Sequence, residues 1–374
     1  MQHLRHRRGD GRALHLYAFD RPLPTITDVS KADTLDREQL ELRWNALLGE
    51  WVVISTGRQE RTFLPPDESC PLCPTASPDA FPTEIPAADF EIAVFDNRFP
   101  SFLTDGADAL DVAPAPPPAT PLDRTAPAVG ACEVVVYTPE HAGSLRTMTH
   151  RQVRNLIDVW EHRYAELSAR AEVRCVFIFE NRGPEIGVTL THPHGQIYAF
   201  PYIPPRIAAE HAAADRHGEA CLVCDLVASE VADGTRLIAK SRGFVAYVPF
   251  AARVPYEVHV TATGHRATLL DLPPAERDGL AAILREVQAR YDGLWDRDMP
   301  CTMSMHQAPA VGAERPGDHL HIDFMPPYRS RDKLKYLAGV ETGAGSFIND
   351  TSPEEKAAEL RAVDPQKTKS TQKG

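Results

Sequence analysis

One order of residue types occurs twice along the chain, and this repeat constrains the fold more than any other feature of the sequence. In the first half, a Cys-x-x-Cys pair that begins at Cys70 precedes a valine-rich strand pattern, a histidine, an amphipathic helix and a His-x-His run. The second half has the same order and begins at Cys221. A repeated order of this kind indicates an internal duplication. We therefore predict two related units, residues 41–205 and 206–350.

The spacings agree with a duplication once one segment is set aside. From the single histidine to the His-x-His run there are 51 residues in the first half, His141 to His192, and 54 in the second, His265 to His319. The Cys-x-x-Cys pairs end 68 and 41 residues before those histidines, a difference of 27. The proline-rich stretch 101–127 is 27 residues long. We predict that this stretch is an insertion at the surface.

Composition limits the class of protein and the partners that it can have. The chain of 374 residues has 40 Lys plus Arg and 52 Asp plus Glu, which gives a net charge of -12 and argues against binding to nucleic acid or to an acidic membrane. No apolar run approaches the roughly 18 residues of a membrane span, and the N-terminus lacks a signal-peptide core. We expect a cytoplasmic protein. The basic arm 1–40 and the polar tail 351–374 are predicted to be disordered.

The run from His192 to Gln196, with the sequence His-Pro-His-Gly-Gln, is the most specific local motif. Proline disfavours the helical region for the residue before it, so the run should be extended, with alternate side chains on one face. His192, His194 and Gln196 would then point to one small volume. A neutral imidazole such as that of His194 is a good nucleophile for a two-step phosphoryl transfer, and the amide of Gln196 could hold a phosphate oxygen.

Cysteine and histidine spacing predicts metal sites. Seven cysteines include two Cys-x-x-Cys pairs, and in a reducing compartment such pairs bind metals or act in redox chemistry. A redox pair would not require linked histidines. A closed set of two cysteines and two histidines would bind structural zinc and would not activate water. The first predicted set is Cys70, Cys73, His141 and His192, and the second, placed by the repeat, is Cys221, Cys224, His265 and His319.

Three adjoining motifs resemble a known family. Glu180-Asn-Arg-Gly183, then Gly187-Val-Thr189, then the run His192-Pro-His-Gly-Gln-Ile-Tyr198 are similar to segments of the galactose-1-phosphate uridylyltransferases, which belong to the histidine-triad superfamily. The resemblance implies an α+β, histidine-triad-like fold, in which two related antiparallel-sheet units form one extended sheet with flanking helices. It also implies a homodimer. The implied reaction exchanges UMP between UDP-glucose and galactose 1-phosphate by a ping-pong mechanism.

The resemblance also assigns roles to single residues. His194 matches the nucleophile that carries the uridylyl group, and Gln196 matches the residue that holds its phosphate. Lys335 and Glu341 match a C-terminal segment that the partner subunit contributes, with the glutamate on sugar hydroxyls. The remaining matches are to substrate-binding positions, namely Arg58, Arg61, Asn97, Asn181, Gly187 and Thr189.

Departures from the family pattern leave alternatives open. Some members hold iron with a glutamate, a histidine and a His-x-His pair; Glu210, His306 and His321 match these ligands, but Asp323 replaces the last histidine. The second Cys-x-x-Cys pair resembles that of members with two zincs, so we expect a second zinc rather than iron. Phe347 stands where some relatives have a sugar-binding glutamine. Two alternative functions remain open. One is a nucleotide-sugar or dinucleotide phosphorylase that uses His194, and the other is a zinc-stabilised binding module without catalysis.

Overall fold

The computed structural model describes residues 1–26, 40–56, 65–75, 83–104, 122–312 and 315–367. The first half contains nine strands and one long helix within these ranges, in the order β1 (Gln2–Arg7), β2 (Ala13–Ala18), β3 (Leu40–Asn45), β4 (Glu50–Ser55), β5 (Ile92–Asp96), β6 (Thr125–Pro127), β7 (Ala131–Val136), α1 (His150–Ser168), β8 (Cys175–Arg182) and β9 (His194–Phe200).

The second half follows with the helices of its own unit and a C-terminal segment. Its elements, in the same ranges, are α2 (Pro205–His217), α3 (Leu222–Asp233), β10 (Leu237–Ser241), β11 (Phe244–Tyr247), β12 (Val258–Ala262), α4 (Pro274–Leu294), β13 (Cys301–His306), β14 (His321–Met325), β15 (Tyr328–Ser330), β16 (Lys333–Leu334), α5 (Gly339–Ala344) and α6 (Pro353–Ala362).

Eleven of these strands form one antiparallel sheet whose order is symmetric about its centre. The order is β1-β2-β5-β7-β9-β8-β13-β14-β12-β11-β10. Starting from the central β8–β13 pair, each strand of the first half has a counterpart at the same distance in the second half, and β1 is an additional edge strand. The prediction of an α+β fold with two related antiparallel units in one extended sheet is therefore confirmed.

Helices α1 and α4 cover one face of this sheet and leave the other face to the predicted site. The apolar stripe of α1, which includes the fully buried Trp160, packs with Leu284 of α4 and with the sheet in one core cluster. Along β9 burial alternates, because a strand points successive side chains to opposite faces. Ile197 lies in that helix-covered core, so His194 and Gln196 face the other side.

The N-terminal arm is ordered over most of its described length, contrary to our prediction. Strand β1 pairs with β2, and β2 pairs with β5 of the main sheet. Leu14 and Leu16 of β2 are fully buried, and the ring of His3 stacks on Tyr17. The many histidines and arginines of the arm suggested disorder, but they alternate with core residues. Residues 27–39 lie outside the described residues.

The polar tail and the proline-rich insertion also contain structure. Helix α6 lies in the tail, and its Ala357 and Leu360 are buried against α4. At the edges of the insertion, Phe102 is buried and β6 pairs with β3 in a small three-stranded sheet. These parts of the two predictions were therefore wrong, whereas 105–121 and 368–374 lie outside the described residues. Within the described part of the chain, no helix combines the length and the apolarity that crossing a membrane requires.

Candidate functional site

The predicted nucleophile His194 has a fixed tautomer. Its Nδ1 lies 2.7 Å from the carbonyl oxygen of His192, and a carbonyl can only accept, so Nδ1 carries the proton. Nε2 therefore has the lone pair. Burial lowers the pKa of His194 below its usual value, although the hydrogen bond to His192 opposes that shift. The imidazole is therefore neutral at pH 7 and can act as a nucleophile.

Gln196 lies beside His194 on the same face of β9, and its amide is oriented by Asn97. The side-chain nitrogen Nδ2 of Asn97 donates to Oε1 of Gln196 at 3.4 Å. Oδ1 of Asn97 accepts from the backbone N–H of Phe99 at 2.9 Å, which fixes the orientation of the Asn97 amide. With Oε1 engaged, the NH2 group of Gln196 is the part of its amide that can donate to a ligand. The structure thus joins two residues that are 99 positions apart.

Gly195, between His194 and Gln196, allows a buried tyrosine to approach the strand. A Cβ at Gly195 would lie 2.2 Å from Oη of Tyr137 and 3.0 Å from the carbonyl oxygen of Phe179. Tyr137 is buried on the helix-covered side and meets Trp160 edge to face. The backbone of this motif is therefore packed between Tyr137 and the neighbouring strand β8.

The first predicted metal set converges on one point. The ligand atoms of Cys70, Cys73, His141 and His192 all lie within 4.8 Å of one another. Sγ of Cys73 is 3.4 Å from Nδ1 of His141 and 3.6 Å from Nδ1 of His192, and Sγ of Cys70 is 3.9 Å from the latter. Tetrahedral zinc with bonds of about 2.3 Å to sulfur and about 2.05 Å to nitrogen would separate such corners by about 3.6 Å. The four residues therefore fit zinc.

The second predicted set repeats this geometry. The ligand atoms of Cys221, Cys224, His265 and His319 also lie within 4.8 Å of one another. Nδ1 of His319 is 3.4 Å from Sγ of Cys221 and 3.5 Å from Sγ of Cys224. Both His-x-His runs have the same backbone support, because Nε2 of the first histidine donates to a carbonyl at or just beyond the end of a strand, β7 in the first half and β12 in the second. The acceptors are Thr138 for His192, at 2.8 Å, and Ala262 for His319, at 2.9 Å.

The protonation states of the histidine and cysteine side chains in these clusters are compatible with a bound cation. Burial, with a further contribution from Cys70, raises the pKa of the Cys73 thiol to about 12. Burial, together with Cys221, raises the pKa of Cys224 to about 11. Burial lowers the pKa of His192 to about 4, so that its imidazole is neutral. Neutral imidazoles can bind a metal directly. The neighbouring thiols ionise only when a positive charge is close, and a bound metal supplies that charge and displaces the thiol protons.

A third cluster, of Glu210, His306 and His321, also has its ligand atoms within 4.8 Å. Nδ1 of His306 is 2.8 Å from Oε2 of Glu210, and Nε2 of His321 is 3.9 Å from the same oxygen. Burial alone would raise the pKa of Glu210, but the hydrogen bond and charge of His306, with the charge of His321, lower it to about 2. Burial lowers the pKa of His321 to about 4. The cluster therefore presents an ionised carboxylate and a neutral imidazole to a metal.

The remaining predicted site residues are placed less closely. Lys335 and Glu341 form an ion pair of 3.1 Å with each other, within the C-terminal segment. Asn181 lies on β8, two residues beyond Phe179, which pairs with Gln196 across the β8–β9 ladder. Gly187, with a φ of 81°, ends a short 3-10 turn in the loop that leads through Thr189 to His192. Arg58 and Arg61 lie outside the described residues.

Several residues near these sites escaped the sequence analysis. The sequence places Tyr137 at the end of the valine-rich pattern and His259 in the corresponding pattern of the second half, and neither position indicates a nearby site. His259 lies 2.9 Å from Glu257 and 3.2 Å from Asp323, and these three residues form a fourth group with possible metal ligands. The backbone carbonyls that support the histidines have no sequence signature at all. Tyr137 could have been suspected because the glycine of the motif needs a close neighbour.

Family comparisons agree with the two halves of the fold. The sequence profile of the galactose-1-phosphate uridyl transferase N-terminal domain matches residues 30–204, and that of the C-terminal domain of the same family matches residues 207–372. The boundary between the two profiles lies at the start of α2, between the two symmetric parts of the sheet.

Individual proteins match over most of the chain. The chain is 39% identical over 333 residues to a galactose-1-phosphate uridylyltransferase of Thermotoga maritima, with 87% of this chain and 99% of that protein covered. It is 34% identical to one of Streptomyces lividans, with 96% of each covered. A solved uridylyltransferase structure superposes with a TM-score of 0.73 at 32% identity, covering 86% of this chain and 97% of that one. A solved structure of an ADP-glucose phosphorylase from Arabidopsis thaliana shares the fold. It superposes with a TM-score of 0.64 at 21% identity, covering 87% of this chain and 100% of that one.

Proposed function

The chain belongs to the galactose-1-phosphate uridylyltransferase family, and from that premise we propose that it exchanges UMP between UDP-glucose and galactose 1-phosphate through a covalent intermediate on His194. The observation that carries the proposal is the state of His194. Its Nδ1 proton is held by the carbonyl of His192, and its Nε2 lies on the face that also carries Gln196. The enzyme is a nucleotidyltransferase that acts in galactose metabolism.

The first half-reaction needs no proton transfer. Nε2 of His194 attacks the α-phosphorus of UDP-glucose, and the bond from that phosphorus to the bridging oxygen breaks. Glucose 1-phosphate leaves with the electron pair of that bond. The Nδ1 proton remains on the ring, where the carbonyl of His192 at 2.7 Å stabilises the positive charge of the phosphorylated imidazole. In the second half-reaction, a phosphate oxygen of galactose 1-phosphate attacks the same phosphorus and releases His194.

Gln196 is proposed to bind the transferred phosphoryl group. Its NH2 group would donate to a non-bridging oxygen as negative charge develops there. Asn97 supports this role because its hydrogen bond occupies Oε1 and leaves the NH2 group of Gln196 to donate to a ligand. Oriented donors of this kind lower the barrier because no reorganisation is required when the charge appears.

We propose that zinc occupies the two Cys2His2 clusters. The four ligands of each set complete a tetrahedral shell, so such an ion would stabilise the fold and would not bind substrate. His192 belongs to the first set and directly precedes the Pro193-His194 step, so the cluster would hold the loop that presents the nucleophile. Thiolate-rich sets of this type select zinc over iron.

The other substrate contacts and the assembly are proposed from the family resemblance. Arg58, Arg61, Asn181, Gly187 and Thr189 would contact the nucleotide and its phosphates. Lys335 and Glu341 would act in the partner's site of a homodimer, the glutamate on sugar hydroxyls. A cytoplasmic location fits the seven cysteines, which are all free thiols in the structure.

Label exchange tests the proposal directly. Enzyme incubated with UDP-glucose that is labelled in the UMP moiety should retain acid-labile label after removal of free nucleotide, and glucose 1-phosphate should discharge it. His194→Ala should abolish labelling, whereas His217→Ala, an exposed histidine of α2, should not change it. Label that stays on the His194→Ala protein refutes the assignment. Discharge by inorganic phosphate but not by galactose 1-phosphate would show a phosphorylase instead.

A further inference from the structure

The loop between β8 and β9 is held at its two ends, and its middle lies at the surface. At one end, Gly183 has a φ of 92° and packs closely on Pro300, since a Cβ on the glycine would lie 2.6 Å from Cβ of the proline. At the other end, Oγ1 of Thr191 lies 3.2 Å from Nε2 of His141, a member of the first cysteine cluster. Between these ends Gly187 is exposed, and a Cβ there would meet nothing within 4 Å. A contact near the middle of the loop is therefore needed to fix the position of Gly187.

The second half of the chain supplies that contact. Tyr328, the first residue of β15, donates from its Oη to Oε1 of Glu185 at 2.9 Å. Glu185 is the central residue of the short 3-10 turn Pro184–Ile186. The turn leads directly to Gly187, whose N–H donates to the carbonyl of Pro184 at 2.9 Å. The bond from Tyr328 spans 143 positions of the sequence, so it joins the loop of the first unit to the segment that follows β14 in the second.

The ring of Tyr328 is itself held in place. Tyr328 is buried, and its ring meets that of Trp295 edge to face, with 6.0 Å between the ring centres. The guanidinium carbon Cζ of Arg297 lies 4.0 Å from the centre of the Tyr328 ring and 5.1 Å from that of Trp295. A cation over the face of an aromatic ring is attracted to it. Tyr328 therefore presents its hydroxyl to Glu185 from a fixed support.

We propose that Tyr328 is a positioning residue for nucleotide binding, because its hydrogen bond to Glu185 holds the turn that presents Gly187 and Thr189 to the nucleotide phosphate. The inference rests on the proposed function, which assigns Gly187 and Thr189 to the nucleotide site. Tyr328 acts only through Glu185 and touches no substrate. Without this bond, the nucleotide would have to order the loop when it binds, and the free energy of that ordering would weaken the affinity.

Tyr328→Phe tests the proposal, because it removes the donor and keeps the ring. The affinity of the full chain for UMP, measured by calorimetry, should fall about 2- to 13-fold, the range that one hydrogen bond gives. UMP is the probe because it carries the phosphate that the loop would bind and has no group to transfer, so its binding does not depend on the reaction.

Steady-state kinetics of the same variant distinguish positioning from a general loss of structure. The ratio kcat/KM for UDP-glucose should fall by the same factor as the affinity for UMP. The ratio kcat/KM for galactose 1-phosphate should not change, because the nucleotide is already bound covalently when that substrate arrives. A general loss of structure would lower both ratios.

Variants of Glu185 and a matched tyrosine separate this hydrogen bond from other effects. Glu185→Ala should weaken UMP binding as much as Tyr328→Phe, and the double variant should bind no more weakly than either single one. Glu185→Gln keeps an acceptor and should retain the wild-type affinity. The matched control is Tyr256→Phe, because Tyr256 also meets Trp295 and also donates to a glutamate, Glu359, but that glutamate lies on α6. It should leave the affinity for UMP unchanged.

Two results would overturn the inference, namely wild-type affinity for UMP in Tyr328→Phe and additive losses in the double variant. If Tyr328→Phe does not fold, Glu185→Ala decides alone, since this residue is exposed, and wild-type affinity in that variant would overturn the inference as well. A wild-type protein that binds UMP but transfers nothing from UDP-glucose would refute the proposed function, whereas the UMP measurements would still decide the role of Tyr328. A wild-type protein that does not bind UMP would refute both.

Discussion

Replacing Gly195 by alanine adds one methyl group directly behind the proposed nucleophile. The new Cβ would lie 2.2 Å from Oη of Tyr137, 3.0 Å from its Cζ and 3.0 Å from the carbonyl oxygen of Phe179, whereas ordinary contacts begin at 3.4 Å. Tyr137 is 2% exposed and packs against Trp160, so its ring cannot swing away. Strand β9 and the tyrosine must therefore separate by roughly 1 Å.

The cost should be easier to detect in the rate than in the unfolding temperature. Overpacking of this kind destabilises a core by about 1–3 kcal/mol, which lowers the unfolding temperature of a chain this long by only a few degrees. A shift of about 1 Å in a reacting group costs roughly 100-fold in rate, equivalent to about 2.7 kcal/mol. Because Gly195 lies between His194 and Gln196, the shift moves both residues relative to the phosphorus. We expect kcat to fall about 100-fold.

Steady-state kinetics and thermal unfolding of matched variants check this expectation. Gly343→Ala is the control, because a Cβ there meets nothing within 4 Å. Tyr137→Phe removes the oxygen that makes the closest contact, so it should restore part of the activity when combined with Gly195→Ala. A Gly195→Ala enzyme with wild-type kcat and unfolding temperature would refute the argument that this contact sets the position of His194.

Three further predictions follow from the other contacts. Cys221→Ser should remove one metal equivalent per chain, as measured by elemental analysis, and leave the metal of the first cluster in place. It should also lower the unfolding temperature, because the free energy of metal binding contributes to the stability of the fold. Asn97→Ala should lower kcat about 2- to 13-fold, because it removes one hydrogen bond to Gln196 of about 0.5–1.5 kcal/mol; a normal kcat would contradict the orienting role. The N-terminal strand β1 should loosen in acid, because burial lowers the pKa of His3 to about 4 and that of His15 to about 2 in the fold. This stabilisation is complete above about pH 6.5, the unfolded value, and is lost as the pH falls towards 4. The protection factors of the β1 amides, which correct exchange rates for their intrinsic pH dependence, should therefore be smaller at pH 5 than at pH 7.5, and His3→Gln should reduce the difference.

Spacing alone was enough to predict both cysteine clusters, because each consists of one short turn and histidines at fixed places in a repeat. The duplication supplied the second set from the first, and the structure brings the four side chains of each set together. The same reasoning failed at the termini. Strand β1 and helix α6 are stabilised by contacts with other elements of the chain. The ring of His3 stacks on Tyr17, and Leu360 lies in the core near α4. The polarity of a short segment does not show whether it will find such partners.

The third cluster was predicted only in outline for a related reason. The sequence places Glu210, His306 and Asp323 far apart, and it could not show on which side of the imidazole each carboxylate lies. That question depends on strand register, since Ser304 pairs with Asp323 and His306 with His321 across the β13–β14 ladder. One residue of slip in β14 would move His321 and Asp323 to the opposite face of the sheet. Ligand identity was therefore easier to predict than ligand geometry.

The charges of the two halves explain why one chain would have a single nucleotide site. His321 has the place of His194 in the repeat and the same hydrogen bond from Nδ1 to a carbonyl two residues before it. Around His194, however, the neighbours on the sheet face are the neutral amides of Gln196 and Asn97. At the place of Gln196 the second half has Asp323, and two more buried or half-buried carboxylates, Glu210 and Glu257, lie within reach of the same pocket. These carboxylates would repel a phosphate, whereas the neutral amides around His194 would not, which agrees with the proposed single nucleotide site in the first half.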